Sequence, residues 1–221
     1  MFIDVGGHLG ETLEEAVRPK WRFDRLYVVE PASVCLPSIE RFADQRVQIV
    51  HAGWGPTDAT AELHDPGEIG ASIHAGKALT VQVETIQVLD AGAWCAENLR
   101  DSDEVWLKVN CEGAECDVLD RVIDAGQMSR IDHLVVHFDV EKIPGMEHRS
   151  DDLRRRLDAS GVEWIEARSI LFGRSHALKT ANWLSWTEAS RLGRLRYTTL
   201  NRAIYRTRQR LYPLKRRLRS H

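Results

Sequence analysis

Cysteine is scarce in this chain of 221 residues: Cys35, Cys95, Cys111 and Cys116 are the whole supply. No two of them stand as C-x-x-C, and their spacing matches no zinc pattern. Reduced, mostly buried thiols of a cytosolic protein are expected; a Cys111–Cys116 metal or redox pair is the less economical alternative. Long apolar runs are missing too. No run of eighteen apolar residues exists, so no transmembrane helix is expected. The first residues lack a basic stretch followed by an apolar one and a small-residue cleavage site, so no secretory signal is expected. Neither internal repeats nor low-complexity linkers interrupt the sequence. With 43% hydrophobic residues the length supports one substantial core.

The last absence is local. From Ala189 to His221 there is no Asp or Glu, against eleven Lys or Arg. The remainder carries 19 basic and 33 acidic residues, a net charge of −14. Two regions follow: a globular domain over 1–188 and a basic, helix-prone tail over 189–221. In the tail, Leu200, Ile204 and Leu211 fall near one side of a helix and arginines fill the others. Three readings compete, in this order: a solvated helix on the acidic body, adsorption to anionic lipid, and nucleic-acid binding. Lipid adsorption draws on about 1 kcal/mol per basic residue near the surface. Nucleic acid stands last because no aromatic-interleaved basic groove is visible elsewhere.

What is present is alternation. "FIDV", "RLYVVE", "VQIVHAG", "EVWLKVN", "IDHLVVHFD" and "VEWIEA" read as strands. Between them "ETLEEAV", "SVCLPSIERFA", "IQVLDAGAWCAENL", "CEGAECDVLDRVIDAG" and "SDDLRRRLDASG" read as helices. "ATAELH" and "LTVQVETI" read as a hairpin or edge strands, joined by the long small-residue loop "DPGEIGASIHAGKA". The apolar segments "SILFG" and "NWLSW" follow the last strand. The pattern predicts an α/β domain with parallel strands at the centre of its sheet.

In a doubly wound sheet, ligands bind beyond the carboxyl ends of the strands. "DVGGHLG" occupies the first such end. A dinucleotide fingerprint would need glycine at position 5, where Val5 stands. Asp4 places a carboxylate at the strand end, which repels a pyrophosphate and suits an ammonium group. Glu30 closes the next strand and can accept hydrogen bonds from two ribose hydroxyls. Ribose plus a cationic amino-acid arm describes S-adenosylmethionine. The plainer alternative is an ordinary strand-to-helix turn at Gly6, Gly7 and Gly10.

"FIDVGGHLGET", "LYVVEP" and "VWLKVNCEGAECDVL" resemble the three signature segments of the FkbM-type methyltransferases. These are class I enzymes that use S-adenosylmethionine, mostly to methylate hydroxyls of sugars and polyketides. The third segment is the most specific, and "GASIHAG" resembles the family's small-residue loop. The resemblance runs from Phe2 to about Asp139. It implies a Rossmann-like, doubly wound and mostly parallel sheet of the class I methyltransferase type. It also implies cofactor contacts at Asp4, Gly6, Gly7, His8, Gly10 and Glu30, with Ala52 and Gly53 flanking the adenine. The family usually has Asn where His8 stands, an acid where Asn110 stands, and residues before its first strand. An acid's role at Asn110 would pass to Glu112. The implied activity is O-methylation of a sugar, polysaccharide or glycolipid, or of a polyketide hydroxyl. An NAD or nucleotide-sugar enzyme, and a non-catalytic protein docking on membrane or RNA, are the alternatives.

Methyl transfer to an alcohol calls for a base, or a metal that acidifies the hydroxyl. His137 and Asp139, two apart near a strand end, would face one side if the strand continues, with Asp139 orienting the imidazole. Glu112 could bind substrate hydroxyls, cap the following helix or, with Asp139, hold Mg²⁺. The plainer readings are a structural histidine, a loop cap and a helix cap. Glu115 and Asp117 read as a solvated helix face, and Lys108 as a strand residue reaching an acid. His74 and His148 read as polar loop residues, and the tryptophans as core, except Trp54, where a ring could stack. The cofactor pocket needs a cover: "GASIHAG", "IPGMEHR", the tail, or a second subunit in a homo-oligomer.

Overall fold

The computed structural model describes residues 1–170 and 176–188. Its strands are β1 (Phe2–Val5), β2 (Leu26–Val29), β3 (Val47–Val50), β4 (Gly53–Gly55), β5 (Ala59–His64), β6 (Val83–Asp90), β7 (Trp106–Val109), β8 (His133–Val136) and β9 (Glu163–Glu166). Its helices are α1 (Leu13–Ala16), α2 (Leu36–Glu40), α3 (Ala91–Asn98), α4 (Glu115–Asp124), α5 (His148–Ser160), α6 (Ala167–Ile170) and α7 (His176–Glu188). The basic tail expected over 189–221 lies outside the described residues.

Six strands form the main sheet in the order β3-β2-β1-β7-β8-β9, and every neighbouring pair is parallel. The order reverses between β1 and β7, as in a Rossmann-like, doubly wound fold. Side chains alternate between the two faces. Ile3, Val5, Leu107 and Val109 join one core with Trp94, Leu119 and Leu157 from α3, α4 and α5. Phe2, Leu26 and Val28 join the other with Leu13, Ile39 and Trp183 from α1, α2 and α7. Covered on both faces, β1 and β2 are buried throughout, which is why they read as unbroken apolar runs.

A smaller sheet, β4-β6-β5, sits beside the first. Here β5 and β6 pair antiparallel, His64 opposite Val83, with β5 at the edge of the sheet and β6 at its centre. Several expectations shift. Residues 86–90 of "IQVLDAGAWCAENL" belong to β6, because Ile86 and Val88 bury with period two. The helix begins only at Ala91, where the Asp90 carboxylate accepts from the Ala93 N–H at 2.9 Å. "NWLSW" is helical and lies within α7, burying Thr180, Trp183, Leu184 and Thr187 at helical spacing. The strand in "IDHLVVHFD" stops at Val136. Pro37 stands in the first turn of α2, where its missing N–H costs nothing.

Candidate functional site

A cavity opens at the carboxyl end of the main sheet, where the strand order reverses. It offers about 1060 Å³, counted out to its open mouth. Val5 and Val29 end their strands in its wall, and the turns after them supply Gly6, Gly7, His8 and Glu30. Asn110, Cys111 and Glu112 follow β7 on the opposite side. Leu63, Ile86 and Val88 from the small sheet, with Gly53 and Trp54, make a third, apolar wall.

The glycine turn is forced by crowding. Gly6 has φ +82°, and a Cβ there would lie 1.9 Å from the Asn110 carbonyl oxygen. Only glycine lets β1 and β7 release their chains side by side at the reversal. The turn then brings the His8 N–H to Glu30 Oε2 at 2.7 Å, while Glu30 Oε1 accepts the Ala32 N–H at 2.9 Å. Glu30 is 6% exposed, and burial pushes its carboxyl above the usual range, against these two bonds. Each oxygen keeps acceptor capacity for a further donor.

Asp4 takes a different place from the expected one. It is fully buried and absent from the cavity wall. Its register neighbour Lys108 donates to Asp4 Oδ1 and, at 3.2 Å, to the Gly6 carbonyl. Burial pushes the Asp4 carboxyl up, and the Lys108 ammonium opposes that. The acid that was to meet a ligand's ammonium is therefore spent on Lys108, and the pair braces the turn from below. Lys108, expected to reach an acid, does so. Gly10 and Ala52 also stand off the wall. Gly10 packs on Phe42, 2.9 Å from its would-be Cβ, and Ala52 is buried behind Gly53.

The chain between β5 and β6, residues 65–82, folds over the cavity as a lid. Gly67 to Ile73 line its underside, so the "GASIHAG" loop is the cover among the described residues, and the "IPGMEHR" loop is not on the wall. Ser72 Oγ donates to the Glu112 carbonyl at 2.8 Å. Lys77 Nζ donates to the same carbonyl at 3.0 Å and to Glu112 Oε2 at 2.8 Å. His74 Nε2 meets the Gly113 carbonyl at 3.3 Å, and His8 Nε2 meets the Gly67 carbonyl at 3.2 Å. At the stem, Asp65 accepts the Leu79 and Thr80 N–H groups.

Of the three predicted catalytic groups, Glu112 alone lines the cavity. His137 follows the end of β8, its N–H on the Val109 carbonyl at 2.9 Å. Asp139 is buried, bonded to Lys142 at a short 3-10 turn, Val140–Lys142. Because β8 stops at Val136, the shared strand face that would have paired them does not form. The Mg²⁺ expectation meets a different obstacle: Glu112 is bonded to Lys77 and Asp139 to Lys142. Among the described residues no group of three His, Cys, Asp or Glu is placed to hold a metal ion.

Glu115 corrects its expectation as well. It is fully buried rather than on a solvated face, accepting the Gly113 N–H at 2.8 Å and the Val140 N–H. Burial pushes its carboxyl up. Asp117, by contrast, is half-buried and paired with Arg149. The four thiols are free. Burial pushes those of Cys35, Cys95 and Cys116 up to about 12 and that of Cys111 well above its ordinary value.

Neither a family model nor a curated protein matches the chain. One solved structure is similar over part of it: the methyltransferase FkbM from Methylobacillus flagellatus KT, at 19% identity and a TM-score of 0.37. The match covers 56% of this chain and 29% of that one, so this chain spans less than a third of its neighbour's length. The fold assignment rests on the strand order and register above.

The wall's charge tests which ligand fits. Glu11, Glu30, Glu68 and Glu112 stand on it with His8 and Lys108; His8 is bonded to Glu11, Lys108 to Asp4, and Lys77 of the lid to Glu112. A pyrophosphate would meet an excess of carboxylates on a wall whose cations are already engaged, whereas a cationic ligand would be attracted. The apolar wall of Trp54, Ile86 and Val88 suits a flat base, and Glu30 suits a ribose. S-adenosylmethionine fits these residues, with one difference from expectation: Asp4 does not receive its ammonium.

Proposed function

We propose that this chain is an S-adenosylmethionine-dependent O-methyltransferase whose acceptor is a hydroxyl of a sugar, polysaccharide or glycolipid. A polyketide hydroxyl satisfies the same chemistry. The observation that carries the reading is Glu30: a buried carboxylate with a hydrogen-bonded N–H on each oxygen, beside a glycine turn and an apolar wall. When bound, the cofactor supplies an electrophilic methyl group. Glu30 accepts the ribose hydroxyls, and the wall of Trp54, Ile86 and Val88 holds the base. Glu112, on the wall beneath the lid, would orient the acceptor hydroxyl through Oε1, the oxygen not bonded to Lys77, and take its proton as the methyl group passes from the sulfonium to the acceptor oxygen and leaves a neutral thioether. The lid keeps water from the reacting atoms.

Calorimetry with S-adenosylhomocysteine tests this. Binding is expected, and Glu30→Ala should weaken it by about tenfold to a hundredfold, since hydrogen bonds to a charged acceptor contribute roughly 1.5–3 kcal/mol. No binding, or equal binding by the variant, overturns the reading. One observation favours a second reading. Six parallel strands in this order also hold dinucleotides, and Glu30 would serve an NAD ribose equally well. Val5 in the fingerprint and the excess of carboxylates on the wall oppose it. Tighter binding of NAD than of S-adenosylhomocysteine would establish it. For the reaction itself, labelled methyl transfer to a panel of sugars and glycolipids should fall at least tenfold in Glu112→Gln.

A further inference from the structure

Eight large apolar side chains are exposed among the described residues, and seven of them belong to the lid or to what it touches. Ile69, Ile73, Leu79 and Val81 are on the lid, at 85%, 38%, 86% and 97% exposure. Val83 continues its stem into β6. Val34 packs against Gly67, and Leu9 follows His8, whose ring bonds the Gly67 carbonyl. Ile69 and Ile73 line the cavity at the same time, which puts the apolar tip of the lid at the mouth. From Ala78 to Val83 the chain carries no charge, and the Asp65 carboxylate holds its backbone in place at Leu79 and Thr80. An exposed apolar surface gathered at one place is the mark of an interaction site.

The charge distribution selects the occupant. The body, at −14, would be repelled by an anionic lipid layer, and the eleven Lys and Arg of 189–221 supply the attraction that it lacks. The described chain ends near Thr187, whose hydroxyl accepts the Trp106 Nε1–H at the start of β7, away from the mouth. The residues beyond can reach around the body, at up to ~3.3 Å each. We infer that the lid ridge is a membrane-docking surface. Leu79 and Val81 enter the apolar layer of an anionic lipid surface, the basic segment binds its headgroups, and the acceptor reaches the mouth as the polar part of a lipid-anchored molecule. The last clause rests on the proposed methyl transfer; the docking does not.

Co-sedimentation of the full chain with vesicles tests it, using phosphatidylcholine alone and phosphatidylcholine mixed equally with phosphatidylserine. Binding to the mixed vesicles is expected, weakened by salt, with little to the neutral ones. The double variant Leu79→Asp/Val81→Asp should bind at least tenfold less, with an unchanged melting temperature, since both side chains face solvent. Arg216→Glu/Arg217→Glu should also bind less and lose part of the salt dependence. Failure of the unaltered chain to bind mixed vesicles overturns the inference. So does unchanged binding by the Leu79/Val81 variant, or light scattering that shows a dimer dispersed by it, which would make the ridge's occupant a second copy. If vesicles bind but S-adenosylhomocysteine does not, the methyl-transfer reading and the acceptor clause fall while the docking stands.

Discussion

His8 engages three groups at once. Its N–H holds Glu30, its Nδ1 lies 3.1 Å from Glu11 Oε1, and its Nε2 lies 3.2 Å from the Gly67 carbonyl of the lid. A carbonyl only accepts, so Nε2 carries a proton, and a carboxylate at Nδ1 favours a proton there too. The charged imidazolium is therefore the form that latches turn to lid. The hydrogen bond to Glu11 raises its pKa, with the nearby Glu30 carboxylate adding to this and partial burial opposing it. A raised folded value means that the latch contributes fully below the ordinary histidine value of about 6.5 and is lost as pH rises through the raised one. Amide exchange over lid residues 67–72 should accelerate across that window by more than the intrinsic base dependence, and His8→Gln should show only the intrinsic trend. Gly6 makes a second prediction at this scale. Gly6→Ala combines φ +82° with a 1.9 Å clash against backbone and should cost about 2–4 kcal/mol in urea unfolding. Gly126→Ala, at φ +70° with open space around it, should cost about 1 kcal/mol.

At the scale of elements, the lid is tied to the turn after β7 by a few polar contacts, among them Ser72 Oγ on the Glu112 carbonyl. Ser72→Ala removes a bond contributing about 1 kcal/mol, so lid amides should exchange about fivefold faster with the melting temperature nearly unchanged. A fall in melting temperature of several degrees would mean instead that the lid is part of the cooperative core. The elements legible in the sequence were those whose spacing declared them. The apolar runs of β1 and β2, the glycine turn, Glu30 at its strand end and the alternating hairpin were all of this kind. The rest depended on partners far along the chain. Spacing placed Glu115 on a polar helix face, but its acceptors serve the Val140 N–H, 25 residues away. Asp4 looked ready for a ligand because nothing in its neighbourhood announced Lys108. His137 and Asp139 looked paired because no turn residue marks the end of β8 at Val136. "NWLSW" carried no helix or strand assignment, because its adjacent aromatics mask the helical period that Thr180, Trp183 and Thr187 keep.

At the scale of the molecule, α7 closes one face of the main sheet. Trp183 is 1% exposed and packs on Phe2, with ring centroids 5.9 Å apart. Trp183→Ala should cost about 3–5 kcal/mol in denaturant unfolding, whereas Leu178→Ala, on the exposed side, should change stability by less than about 0.5 kcal/mol. Equal effects would mean that α7 is not a structural layer of the fold. The strand order has a further consequence, for the time when the chain is being made. β1 is central, yet its neighbour β7 follows it by 104 residues, the separation of Asp4 and Lys108. At roughly 5–20 residues per second on the ribosome, β1 waits about 5–20 s with the edge that β7 takes still unpaired. Asp4 is also the sole charge among the four residues of β1. During that interval it keeps a polar group on a segment that would otherwise invite pairing with other nascent chains, before Lys108 arrives to bury it.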